Sequence, residues 1–171
     1  MSEQADRGTP LRLREPVNLV SPRARLMWLA EGALFMLVLL AVQAGWWFID
    51  GRGSRTPHLV VGGAWLVFAV LYLSIMPVWR YRVHRWEVTD EAVYTRSGWL
   101  TRTWTLVPIS RIQTVDVTRG VLQQLFGLAS VAVLTASAQG TVRVQHLEAD
   151  VAQRVADDLA HRAEQVRDQA T

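Results

Sequence analysis

Leu26–Ile49 reads LMWLAEGALFMLVLLAVQAGWWFI and Leu59–Val78 reads LVVGGAWLVFAVLYLSIMPV, and these two stretches decide the fold. A helix rises about 1.5 Å per residue, so about 20 residues cross a hydrocarbon core about 30 Å thick. Both stretches reach that length. The second holds no charged side chain and the first holds only Glu31. A core helix of that length in a water-soluble protein would carry a polar stripe, and neither does. The first half of the chain therefore reads as a transmembrane hairpin, with spans at 26–49 and 59–78 and a short turn at 50–58. Val42-Gln43-Ala44 resembles a signal-peptide cleavage site. However, the apolar run outlasts the roughly 7 to 15 residues of a secretory h-region and continues through Trp46, Trp47 and Ile49.

Charge sets the orientation. All 18 basic residues are Arg. Arg12, Arg14, Arg23 and Arg25 precede the first span and Arg80, Arg82 and Arg85 follow the second, whereas only Arg52 and Arg55 lie between. The excess of arginine on the outer flanks predicts a multi-pass membrane protein with both termini in the cytoplasm. Trp28, Trp46, Trp47 and Trp79 fall at interfacial depths. Ala41-x-x-x-Gly45 and Gly62-Gly63-Ala64 are small residues that predict a close approach of helices, either within the hairpin or, alternatively, between copies of the chain. Cysteine is absent, which removes disulfides and thiolate metal sites. The basic pI of about 10.1 does not indicate a nucleic-acid partner. From Trp79 onward eleven Arg face ten Asp plus Glu, so the excess charge sits beside the membrane, where it meets anionic head groups.

Residues 1–25 are polar and punctuated by Pro10, Pro16 and Pro22, and read as an extended or disordered cytoplasmic segment. After Trp79 the period switches to alternation. Tyr81 and Val83 share a face, then the phase slips to Trp86 and Val88, which predicts a strand with a bulge near Arg85. Further strands are read at Ala92–Arg96, at Arg102, Trp104 and Leu106, at Val115 and Val117, at Val131 and Val133, and at Val142 and Val144. Turns fall at Thr89-Asp90-Glu91, Ser97-Gly98 and Gln139-Gly140. Gly120–Phe126 predicts a helical turn burying Val121, Leu122, Leu125 and Phe126 and stopped by Gly127. Leu147, Val151, Val155 and Leu159 then recur every four residues as an amphipathic helix, with Ala152, Ala156 and Ala163 on the same side. Short antiparallel strands closed by one helix make a small barrel or sandwich over 79–167, with a tail at 168–171.

Val107-Pro108-Ile109-Ser110-Arg111-Ile112-Gln113-Thr114-Val115-Asp116-Val117, followed by Gln123-Gln124-Leu125-Phe126-Gly127-Leu128-Ala129, resembles the bacterial pleckstrin-homology-like (PH-like) domain of YdbS-like membrane proteins. The resemblance covers roughly 20–165. It implies an α+β membrane protein: a two-helix hairpin, then two packed antiparallel sheets capped by a C-terminal helix. It implies no enzymatic activity. In phosphoinositide-binding members of the wider superfamily a basic loop joins the first two strands. Here that turn is the acidic Thr89-Asp90-Glu91, so inositol phosphate binding is not carried over.

No catalytic, cofactor or metal site is read from the chain. His58, His84, His146 and His161 are scattered without a two-ligand spacing, and neither a G-x-S-x-G elbow nor a Gly-rich phosphate loop occurs. Asp157 and Asp158 are adjacent on a helix and diverge by about 100°. The candidates for lipid or partner contact are Arg80, Arg82, Arg85, Arg96, Arg102, Arg111 and Arg143, with the strand arginines expected on a solvated face. Glu31 and Gln43 are the polar residues inside the spans. Glu31 lies near Arg23 and Arg25 and is expected to pair with them or snorkel, and Gln43 to bond across helices. The expected function is an interaction module that binds a protein partner or self-assembles at the membrane. The alternatives are a sensor of anionic lipid and an accessory subunit of a transport or envelope-stress assembly.

Overall fold

The computed structural model describes residues 15–51, 53–98, 100–136 and 140–169. Two long helices, α1 (Arg23–Ile49) and α2 (Thr56–Val83), form the hairpin. Both are long and apolar enough to cross a membrane, and most of their large side chains face outward. Such an apolar surface is suited to lipid rather than to water.

Each helix extends past its apolar stretch at the end away from the hairpin turn. The sequence reading gives Tyr81 and Val83 to a strand with a bulge at Arg85. Instead α2 continues through Val83, and the first long strand starts at Arg85. Alternation over two residues does not outweigh a helix already propagating, since each added residue gains a backbone hydrogen bond.

The close approach also lies elsewhere than expected. Gly45, Gly62 and Gly63 have open space around them, whereas a Cβ on Gly32 would lie 3.0 Å from Leu73 Cδ2 and 3.2 Å from Tyr72 Cε1. Gly32 is the glycine that lets the helices meet. We expect Gly32→Leu to destabilise the hairpin by about 1–3 kcal/mol through overpacking. The paired variant Gly62→Ala/Gly63→Ala is expected to leave it unchanged. Thermal unfolding of the purified protein in detergent compares the two, and equal losses would remove Gly32 from this role.

The elements outside the hairpin are β1 (Asn18–Leu19), β2 (Arg85–Val88), β3 (Ala92–Ser97), β4 (Thr103–Pro108), β5 (Ile112–Thr118), α3 (Val121–Leu125), β6 (Leu128–Thr135), β7 (Thr141–Glu148) and α4 (Ala149–Gln169), with a 3-10 turn at Ile109–Arg111. One sheet has the order β1-β2-β3-β4 and the other β5-β6-β7, all pairs antiparallel. Gly98 turns the β3–β4 hairpin at φ +105°, where a Cβ would collide with the Thr101 carbonyl. Gln139 of the expected Gln139-Gly140 turn lies outside the described residues; Gly140 has φ +66°.

Val93, Val107, Ile109, Ala129, Val131, Val133 and Val144 fill the space between the sheets, and Ala152, Ala156, Leu159 and Ala163 of α4 close it. Leu147 ends β7 rather than opening the helix. In α3 the expected burial holds only in part: Leu122 and Phe126 are partly buried, but Val121 and Leu125 are exposed.

Of the segment expected to be extended or disordered, residues 1–14 lie outside the described residues, and residues 15–22 are not free. Pro16 is fully buried, Asn18 and Leu19 pair with Trp86 and Arg85, and the Trp86 indole donates to the Leu19 carbonyl at 3.2 Å. Residues 15–22 are thus a strap that completes the edge of the first sheet. A two-residue strand between prolines carries no period, which is why pattern reading misses it.

Candidate functional site

The hairpin and the sandwich meet around Trp28, which is completely buried. Its ring contacts His84 at 5.2 Å and His146 at 5.0 Å between centroids, and the Arg80 guanidinium lies 4.6 Å above it. Arg80 and His84 come from the end of α2, and His146 comes from β7. His84 caps the end of α2, with its Nδ1 2.8 Å from the Arg80 carbonyl. His146 sits on β7 with φ +59°, a left-handed conformation uncommon outside glycine. The β6–β7 register slips there: Val144 pairs with Val131 but Leu147 pairs with Ala129. This irregularity turns His146 toward Trp28, and its carbonyl accepts the Ser21 N–H at 3.0 Å. Scattered in sequence, His84 and His146 are brought to 6.2 Å. The spacing rule for metal ligands is blind to such a pair.

Both imidazoles are held neutral. Burial pushes His146 down to about 4, with the charges of His84 and Arg80 adding to the effect. His84 is also lowered, chiefly by burial; its bond to the Arg80 carbonyl opposes this and the Arg80 charge reinforces it. In the unfolded chain both titrate near 6.5, so between about pH 4 and 6.5 the unfolded state binds more protons. Stability therefore rises with pH across that window, is complete above 6.5 and is lost as pH falls toward 4. The shift at His146 is worth on the order of 3 kcal/mol. Melting temperature in detergent should fall on acidification, and His146→Asn, which tolerates positive φ, should flatten that slope. An unaltered slope in the variant would refute the assignment.

Arg96 is the largest departure from the sequence reading. It is 8% exposed rather than on a solvated face. Its Nε donates to the Val83 carbonyl at 2.9 Å and Nη2 to the Arg82 carbonyl at 3.0 Å, while Nη1 meets the Glu15 carboxylate at 2.6 Å. It caps α2 and binds the strap. Arg96→Leu should cost about 1–3 kcal/mol by leaving buried carbonyls unpaired. Glu15→Gln should cost under about 1 kcal/mol because that carboxylate is mostly exposed. Equilibrium unfolding separates the two, and equal costs would contradict the capping role.

The other candidates scatter. Arg82, Arg102, Arg111 and Arg143 are exposed, and Arg85 is partly buried with Nη1 3.4 Å from the Val17 carbonyl. Glu31 pairs at 3.7 Å with Arg80, not with Arg23 or Arg25, because the antiparallel helix places Arg80 alongside. Gln43 does bond across the hairpin, to the His58 carbonyl at 3.2 Å. That bond belongs to an outer clamp the sequence reading misses. His58 is buried against Trp46 at 4.0 Å and Trp47 at 5.4 Å, with Nε2 3.1 Å from the Asp50 carboxylate.

Arg143 alone of the candidate arginines lines an open groove of about 430 Å³ between the two sheets. Trp104 and the hydroxyls of Thr95, Ser97, Thr103, Thr105 and Thr141 line it too. The groove lies between β4 and β7, each an edge strand of its sheet. Among the described residues no group of three or more His, Asp or Glu side chains is placed to hold a metal. The acidic turn is engaged: Asp90 pairs with Arg162 of α4.

Two antiparallel sheets closed by a C-terminal helix and carried on two apolar helices define a membrane protein with a PH-like domain. The bacterial PH domain family model matches residues 25–163, and the chain belongs to that family. It is 28% identical over 159 residues to the UPF0699 transmembrane protein YdbS of Bacillus subtilis (strain 168), covering 87% of this chain and 94% of that protein. No solved structure matches significantly.

Proposed function

We propose that this transmembrane protein presents its PH-like domain to the cytoplasm as a non-catalytic interaction module, which receives a protein partner or a second copy of the chain in the groove between β4 and β7. The observation that carries this reading is the groove. Two edge strands border it, and their unpaired backbone groups are suited to pairing with an extended segment of another chain. The exposed Trp104 and Arg143 on its walls are of the residue types most used as binding anchors. The arginine excess on the outer flanks supports the cytoplasmic orientation.

Lipid head-group recognition is less well supported. Arg96 is consumed as a cap, and Arg102 and Arg111 do not line the groove that Arg143 lines.

A photo-cross-linking residue at position 104 or 143 of the full-length protein in living cells tests the reading. A discrete protein adduct, or a self-adduct, is expected from both positions but not from Ser110 on the 3-10 turn. Adducts with lipid alone, or equal labelling from Ser110, would overturn it.

A further inference from the structure

Val121 and Leu125 are 77% and 75% exposed, and neither the spans nor the sandwich core explains them. They stand four apart on α3, one residue round from a second pair at the same spacing, Leu122 and Phe126. That second pair packs on the cluster of Val20, Ala24, Met27, Trp28, Met76 and Leu128, which joins the base of the hairpin to the sandwich. A short surface helix between core and water is polar on its outer flank. This one exposes Val121 and Leu125 beside Gln124, whose side chain folds back to the Arg119 carbonyl at 3.4 Å, while the Gln123 side chain turns back to accept the Gly120 N–H and donate to Ser130.

The depth of α3 identifies what covers the outer pair. The clamp of Trp46, Trp47 and His58 marks the outer end of the hairpin. From there a hydrocarbon core of about 20 helical residues runs back along α1 to Met27 and Trp28, and forward along α2 to Trp79. Met27 and Trp28 belong to the cluster on which α3 rests. The helix therefore lies at the level where acyl chains give way to head groups. Positive charge frames it. Arg119 just before it is exposed, and Arg23 Nη1 would lie 3.2 Å from a Cβ on Gly127 just after it. Apolar side chains flanked by arginine are what the cytoplasmic face of an anionic bilayer accepts.

We propose that α3 is an interfacial foot. Val121 and Leu125 insert at the acyl–head-group boundary of the same bilayer that holds the hairpin, as a second contact between the sandwich and the membrane, independent of any partner in the β4–β7 groove.

The chain has no cysteine, so Val121→Cys and Leu125→Cys each create a unique attachment point for a nitroxide. The full-length labelled protein is placed in nanodiscs of phosphatidylcholine and phosphatidylglycerol, and collision rates are measured with oxygen and with a water-soluble nickel chelate. Gln153→Cys, exposed on α4, is the aqueous reference, and Phe35→Cys, exposed on α1, is the lipid reference. The ratio of oxygen to nickel accessibility at 121 and 125 is expected to exceed that at 153 by about fivefold or more and to fall below that at 35. A ratio equal to that at 153 would overturn the proposal by placing the pair in water. Suppression of both collision rates below both references would overturn it by placing the pair under protein.

Discussion

Trp28 is the constraint on which the arrangement of the molecule depends. An indole at the end of a transmembrane helix ordinarily rests in the interface, half wet and half in lipid. Here it is driven into protein, between His84 at the end of α2 and His146 on β7, under the Arg80 guanidinium. Transfer from lipid to protein gains little hydrophobic free energy, so packing and ring contacts must hold it there. Once they do, the base of α1 is part of the sandwich, and the domain cannot swing freely beneath the hairpin.

The polar groups around that joint follow from it. Helix α2 passes into β2 with only His84 between them, leaving its last carbonyls turned toward the sheet. Arg96 satisfies two of them and places a cation at the negative end of the helix. The same guanidinium reaches Glu15, and Ser21 donates to the His146 carbonyl, so the strap ahead of α1 is fastened at both ends. Membrane anchor and soluble domain thereby share one set of hydrogen bonds. Their neutrality requirement, set by buried imidazoles beside an arginine, makes the joint sensitive to acid.

Much of the fold is legible in the residues. Two uninterrupted apolar runs, alternating valines and a four-residue recurrence of Val151, Val155 and Leu159 each follow from the geometry of one element and need no knowledge of its neighbours. The site is less legible. Arg96 alternates like a surface residue and is buried, because the carbonyls that need it belong to a helix ending elsewhere in the chain. Arg143 has the same pattern and does line the groove. No local rule separates the two.

The sequence by itself determined that the chain carries two helices long and apolar enough to cross a membrane and a small antiparallel domain closed by an amphipathic helix, since length, polarity and period are properties of contiguous residues. Only the tertiary structure decided which glycine brings the helices together, that residues 15–22 complete a sheet, that His84 and His146 converge on Trp28, and that Val121 and Leu125 are left outside. Each of those outcomes rests on contact between segments far apart in the chain, where partner and distance are set by packing rather than by spacing.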